Sequence, residues 1–141
     1  DLHNNVKQVQ AIIPAAIGAN ATKTGAIIDR QNYGGVEFVI DYGSVTTTGS
    51  IVTIVCKEGD VTGTLTSVAD TNLLGTEALA SLPAATPRTS GTTKEVVKRL
   101  GYVGNKRYVR LNAVQTGVTS VGVVGAAAVL HNPAVTPTSN P

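Results

Sequence analysis

The residues able to do chemistry are few and scattered. His3 and His131 stand near opposite ends of the chain, and neither has a cysteine or carboxylate at the spacing that metal ligands need, so no metal site is expected. Cys56 is the single cysteine, which excludes an intramolecular disulfide. Its place in the apolar run Ile51-Val52-Thr53-Ile54-Val55-Cys56 reads as a buried structural thiol rather than a reactive one. Glu58 and Asp60 flank Gly59 without further oxygen ligands, which fits a solvated turn better than a calcium loop. A Ser-His-Asp triad assembles in space, so sequence order leaves it open, but no Gly-x-Ser-x-Gly elbow is present. The phosphate-cradling glycine patterns are missing as well, since Gly122-Val123-Val124-Gly125 lies inside an apolar strand. Asn20-Ala21-Thr22 matches a glycosylation acceptor and is read as a chance match. These observations lead us to expect no catalytic residue, no cofactor and no enzyme activity.

Charge is the remaining chemical signal. The net charge of +2 over 141 residues is too small to define a nucleic-acid binder. Its distribution is uneven: Lys94, Lys98, Arg99, Lys106, Arg107 and Arg110 crowd one stretch, with Glu95 the one acid among them. Three readings stand side by side: a solvated strand rim, contact with an acidic protein surface, and contact with nucleic acid. Phe38, Tyr33, Tyr42, Tyr102 and Tyr108 are the only aromatic residues, a thin supply for stacking bases, and no direct nucleic-acid contact is expected.

The elements that must position these groups are strands. Valine, isoleucine and threonine make up about a third of the chain, and their branched side chains favour extended backbone. Fifteen glycines and six prolines break it at short intervals, as a sandwich or barrel requires. Val36 to Tyr42 is the clearest strand, with Val36, Phe38, Ile40 and Tyr42 on one face and Glu37 and Asp41 on the other. In Ile51 to Lys57, Val52, Ile54 and Cys56 share a face, and the run is expected to stop at Glu58-Gly59-Asp60. Glu95 to Val103 and Arg107 to Val114, joined by Gly104-Asn105-Lys106, predict a hairpin. Val121 to Leu130 is apolar on both faces and predicts a central, fully covered strand. Val6 to Ile13 is expected to stop at Pro14, and Gly25 to Arg30 to be short. Residues 71 to 93 read chiefly as a long loop, with a short helical turn around Leu73 to Leu82.

Seven or eight such strands predict one all-β domain over residues 1–141, a two-sheet jelly-roll-like sandwich with Phe38, Ile40, Ile54, Leu111 and Val123 in its core. Residues 1–5 and the proline-rich 132–141 are expected as extended terminal arms. The longest apolar run, Val121 to Leu130, falls short of the roughly 20 residues of a membrane helix, so no membrane association is expected. The polar amino end carries no secretory pattern, which makes synthesis and assembly in a cytoplasm the expectation.

Four blocks carry a resemblance: Asp1 to Lys7, Ile27 to Tyr33, Leu73 to Ala78 and Gly101 to Leu111. With the overall length, they resemble a family of small structural proteins of tailed phages and prophages, the capsid cementing or decoration proteins, those of Bordetella bacteriophages among them. Residues 79 to 93 diverge from it. The resemblance implies a jelly roll that binds as a homodimer to the outside of an icosahedral shell and bridges subunits of an HK97-type major capsid protein. The candidate contacts to the capsid or a partner are the amino-terminal Asp1, Leu2, His3, Asn4 and Asn5 and the basic Lys94, Lys98, Arg99, Lys106, Arg107 and Arg110. From the carboxyl-terminal segment Asn132, Pro133, Val135 and Pro137 join them. A carbohydrate- or receptor-binding jelly roll on a virion is the alternative, though the absence of tryptophan weakens a sugar platform.

Overall fold

A computed structural model describes residues 1–18, 20–43, 51–82, 96–116, 122–136 and 138. In chain order the strands are β1 (Val6–Ile17), β2 (Thr22–Asp29), β3 (Tyr33–Tyr42), β4 (Ile51–Val61), β5 (Thr64–Ser67), β6 (Leu73–Leu74), β7 (Val96–Tyr102), β8 (Tyr108–Thr116) and β9 (Gly122–Pro133). A 3₁₀ turn at Asp70–Asn72 precedes β6, and a single-turn helix α1 (Glu77–Ala80) follows it. One antiparallel sheet has the order β1-β9-β3-β7-β6 and the other β2-β8-β4-β5. The result is the expected two-sheet, jelly-roll-like sandwich.

Alternation builds the core. Val36, Phe38, Ile40 and Tyr42 of β3 all point inward and are buried, as are Val52, Ile54 and Cys56 of β4 and Val109, Leu111 and Ala113 of β8. Phe38 has Leu100 on one side and Ala128 on the other, and Ile40 has Ala126, so small residues of β9 make room for large ones of β3. β9 is central, but its second face is only partly covered: Val123 is 42% exposed, which removes it from the predicted core. Its side chain points to the outer face of the sheet, where no layer of the described residues packs on it, and the apolar run conceals that distinction.

Several boundaries differ from the sequence reading. β1 continues through Pro14 because it is an edge strand whose register shifts between Ile12 and Ala15, so the missing amide costs no ladder bond. The Pro14 ring lies over Gly125, where an added Cβ would approach Pro14 Cγ to 2.8 Å. β2 starts earlier than expected, at Thr22. β4 passes Glu58-Gly59-Asp60 and turns only at Thr62-Gly63, with a bulge between Glu58 and Val61. The expected hairpin of β7 and β8 does not form: β7 pairs with β3 and β6, β8 with β2 and β4, so residues 103–107 cross from one sheet to the other.

That crossing is held by a polar knot. The Tyr102 hydroxyl donates to Glu58 Oε2 and accepts from the Lys106 backbone N–H at 3.1 Å. Arg30 stacks over the Tyr102 ring at 5.1 Å, and its guanidinium donates to the Gly104 carbonyl. Burial, and then the bond to Glu58, push the Tyr102 phenol far above its ordinary value, so it stays a neutral donor. A short connection rich in glycine carries the signature of a hairpin, and these side-chain bonds to distant residues send it elsewhere.

Candidate partner-binding surfaces

The two chain ends meet. Asp1 folds the amino end into a turn, its carboxylate accepting from the Asn4 backbone N–H at 2.9 Å and from Asn4 Nδ2 at 2.8 Å. Asn5 N–H then bonds the Leu2 carbonyl at 3.1 Å. His3 lies in the same turn. At the other end, Asn132 and Pro133 belong to β9, not to an arm, because Pro133 still lies opposite Tyr33 in the ladder. Asn132 takes φ 53°, a left-handed backbone that asparagine tolerates, and this turns the chain back. Ala134 N–H bonds the Asn32 carbonyl at 2.8 Å. Thr138 then ties the segment down, its N–H on Asn4 O at 2.9 Å and its hydroxyl on Val6 O at 2.7 Å. The segments expected as extended arms are thus, as far as the described residues go, a turn and a hydrogen-bonded return strap. Leu2 and Val135 project from them, each 76% exposed. Pro137 lies outside the described residues.

The basic stretch does not stay together. Lys98 donates to the carbonyls of Leu79 at 2.9 Å and Ser81 at 2.6 Å, which anchors α1 and the residue that follows it. Arg99, its side chain 84% exposed, makes a loose 3.8 Å pair with Glu37. Lys106 meets Asp60 at 2.6 Å, and Arg107 grips both oxygens of Asp29 at 3.0 and 2.7 Å. These contacts hold the Asp29 and Asp60 carboxyls below their ordinary values and raise Lys106 and Arg107. Arg107 also stacks on the Tyr108 ring at 4.9 Å. Lys94 lies outside the described residues. Arg110 is set apart: it sits on the outer face of β8, and its half-buried guanidinium makes no hydrogen bond to the described residues, with Nε fully enclosed. Lys57, which the sequence did not single out as a candidate, lies directly opposite it on β4. Only the strand register could reveal that pairing.

The groups with reactive potential are used structurally. Thr76 caps α1 by accepting from Leu79 N–H at 3.1 Å, so the expected helical turn forms at Glu77–Ala80. Buried Ser81 accepts from Ile54 N–H at 2.8 Å and donates to Glu77 O at 2.6 Å. Cys56 is fully buried, and burial pushes its thiol up to about 12, with the Glu77 and Glu58 carboxylates adding to the shift. Among the described residues no three histidine, cysteine or carboxylate side chains gather as metal ligands, and no described helix is long and apolar enough to cross a membrane.

Two surface grooves are relevant to binding. One of about 410 Å³ runs between the β1 and β2 edges, lined by Lys7, Gln10, Ile27, Asp29, Gln31 and Tyr33 among others. Another of about 440 Å³ lies on the outer face of β9 and β3, floored by Gly125 and Ala127 and walled by Pro14, Val39 and Val123.

No family model matches the chain, and a comparison with curated proteins gives no match. Solved structures are similar in fold. The PBSX exported protein XepA superimposes with a TM-score of 0.57 at 15% identity, over 94% of this chain and 39% of that one. The Bacillus endospore appendages that form disulfide-linked pili give 0.45 at 15% identity, over 90% and 88% of the two chains. The amino-terminal cellulose-binding domain of Cellulomonas fimi β-1,4-glucanase C gives 0.40 at 12% identity, over 89% and 80%. The chain is therefore similar in fold to XepA, spanning about two-fifths of its length.

Proposed function

We propose that this β-sandwich is a structural protein of a virion, a capsid decoration protein. It binds the outer surface of an icosahedral shell as a homodimer and bridges subunits of an HK97-type major capsid protein. It works by binding alone, without a cofactor or a catalytic step, after synthesis and assembly in the host cytoplasm. The observation that carries the reading is the strapped end of the domain, where Leu2 and Val135, each 76% exposed, are held out on segments already tied to each other through Thr138. Apolar side chains displayed on pre-ordered backbone lose little entropy on docking. The four sequence blocks that resemble decoration proteins support the same reading, and two of them, Asp1 to Lys7 and Ile27 to Tyr33, border this end. A protein that binds only the assembled shell stabilises it by mass action, about 2.7 kcal/mol per site at 100 times its dissociation constant.

The test is co-sedimentation with expanded capsids of a tailed phage, comparing the full chain with Leu2→Asp and Val135→Asp. Retention by the full chain and faster loss of both variants on dilution is expected. Failure of the full chain to sediment with any such particle would remove the proposal.

A second reading, a carbohydrate-binding module on a virion, is favoured by the groove at Lys7, Gln31, Asn32 and Tyr33, where amides and one ring converge. Glycan binding that Tyr33→Ala abolishes, without particle binding, would select it.

A further inference from the structure

Across the β4–β8 ladder, Lys57 stands directly opposite Arg110 on the outer face of the second sheet. Opposed residues in an antiparallel pair have Cβ atoms about 4.5–5.5 Å apart, and like charges there repel. Among the described residues, nearby carboxylates do not relieve this pair. Asp29 is engaged by Arg107, Asp60 by Lys106, and Glu58 faces inward to accept from Tyr102. Arg110 has Nε enclosed and makes no hydrogen bond to the described residues, and Lys57 makes none either. The other basic residues described between positions 98 and 107 all meet an acceptor. This site is where acceptor oxygens are owed.

Apolar side chains border the two cations. Ile27 of β2, 37% exposed, flanks Arg110 on one side, and half-buried Val55 precedes Lys57 by one step on the same face. A nucleic-acid backbone is tracked by a stripe of cations. Two adjacent cations between aliphatic side chains instead match a peptide carrying carboxylates next to apolar residues.

We infer that the outer face of β8 and β4, centred on Arg110 and Lys57, is a docking surface for an acidic segment of a partner protein, its carboxylates seated across the two cations. This surface is separate from the strapped end and does not depend on the decoration reading.

The probe is a short polyglutamate peptide, titrated into the full chain at low salt, with polyglutamine and a single-stranded oligonucleotide of equal charge as comparisons. Polyglutamate should bind with strong salt dependence, and Arg110→Gln should weaken it roughly tenfold. Lys57→Glu is the discriminating variant: it turns a repulsive pair into an attractive one, so thermal stability should rise while peptide affinity falls. Chemical-shift changes should centre on the amides of Lys57 and Arg110. Absence of polyglutamate binding, equal binding by both variants, or tighter binding of the oligonucleotide would each overturn the inference.

Discussion

Glu77 Oε1 accepts the backbone N–H of Cys56 at 2.5 Å. It is one of three such bonds: Val52 N–H goes to Leu82 O at 3.0 Å and Ile54 N–H to Ser81 Oγ at 2.8 Å. β4 has β8 on one side, but β5 covers only its later residues on the other, from Lys57 to Val61. The segment Glu77 to Leu82 fills the gap as a substitute strand, using one carboxylate, one hydroxyl and one carbonyl on alternate amides. The free edge of the sheet is thereby closed against unwanted pairing. Lys98 and Tyr42, bonding the carbonyls of Leu79, Ser81 and Ala80, lock the segment from the other sheet.

Glu77→Ala should therefore leave the Cys56 amide buried and unpaired, at a cost of about 1–3 kcal/mol in denaturant unfolding. Glu77→Gln keeps an acceptor and should recover most of that loss. Equal losses in the two variants would mean that charge, not the hydrogen bond, is what matters there.

Phe38→Ala and Val123→Ala should differ sharply. Phe38 is fully enclosed, and its truncation should cost about 3–5 kcal/mol. Val123 faces outward, so its truncation should fall within about 0.5 kcal/mol of wild type. Equilibrium unfolding in urea checks both, and a large loss at Val123 would place it under a second layer.

The Cys56 thiol should resist alkylation in the folded protein at neutral pH, because burial and two neighbouring carboxylates push it up to about 12. Labelling should track global unfolding across a denaturant series. Rapid labelling in buffer alone would mean that the cover provided by the segment 77–82 opens locally.

Acid sensitivity should reside partly in Asp29. The hydrogen bonds from Arg107 lower its carboxyl below the ordinary value, so the unfolded chain binds a proton more readily than the folded one. The pair then contributes at pH values above about 4 and is lost as pH falls through the lowered value. Both side chains are well exposed, which limits the contribution to about 0.2–1 kcal/mol. Asp29→Asn should lower stability by that amount at pH 7 and flatten the acid limb of the stability profile, the difference from wild type shrinking as the carboxyl is protonated.

Side-chain shape and alternation determined the fold class. The inward set Val36, Phe38, Ile40 and Tyr42, and the set Val52, Ile54 and Cys56, follow from period-two spacing, since a strand one residue out of phase would bury Glu37 or Thr53. Wherever a contact joins residues distant in the chain, local pattern had no means of reporting it. Gly104-Asn105-Lys106 has the composition of a hairpin turn, yet Arg30 and Glu58, 74 and 44 residues from their partners, draw the connection between sheets. Pro14 reads as a strand end because its missing amide matters only where a neighbour would accept it, and among the described strands β1 has none on that side. The candidate surfaces divide in the same way. Sequence marked Leu2, Val135 and Arg110, but the strap through Thr138 and the opposition of Lys57 to Arg110 belong to register and chain return. Apolar periodicity is written in neighbouring residues, whereas the pairing of charges across strands is decided only when the sheets close.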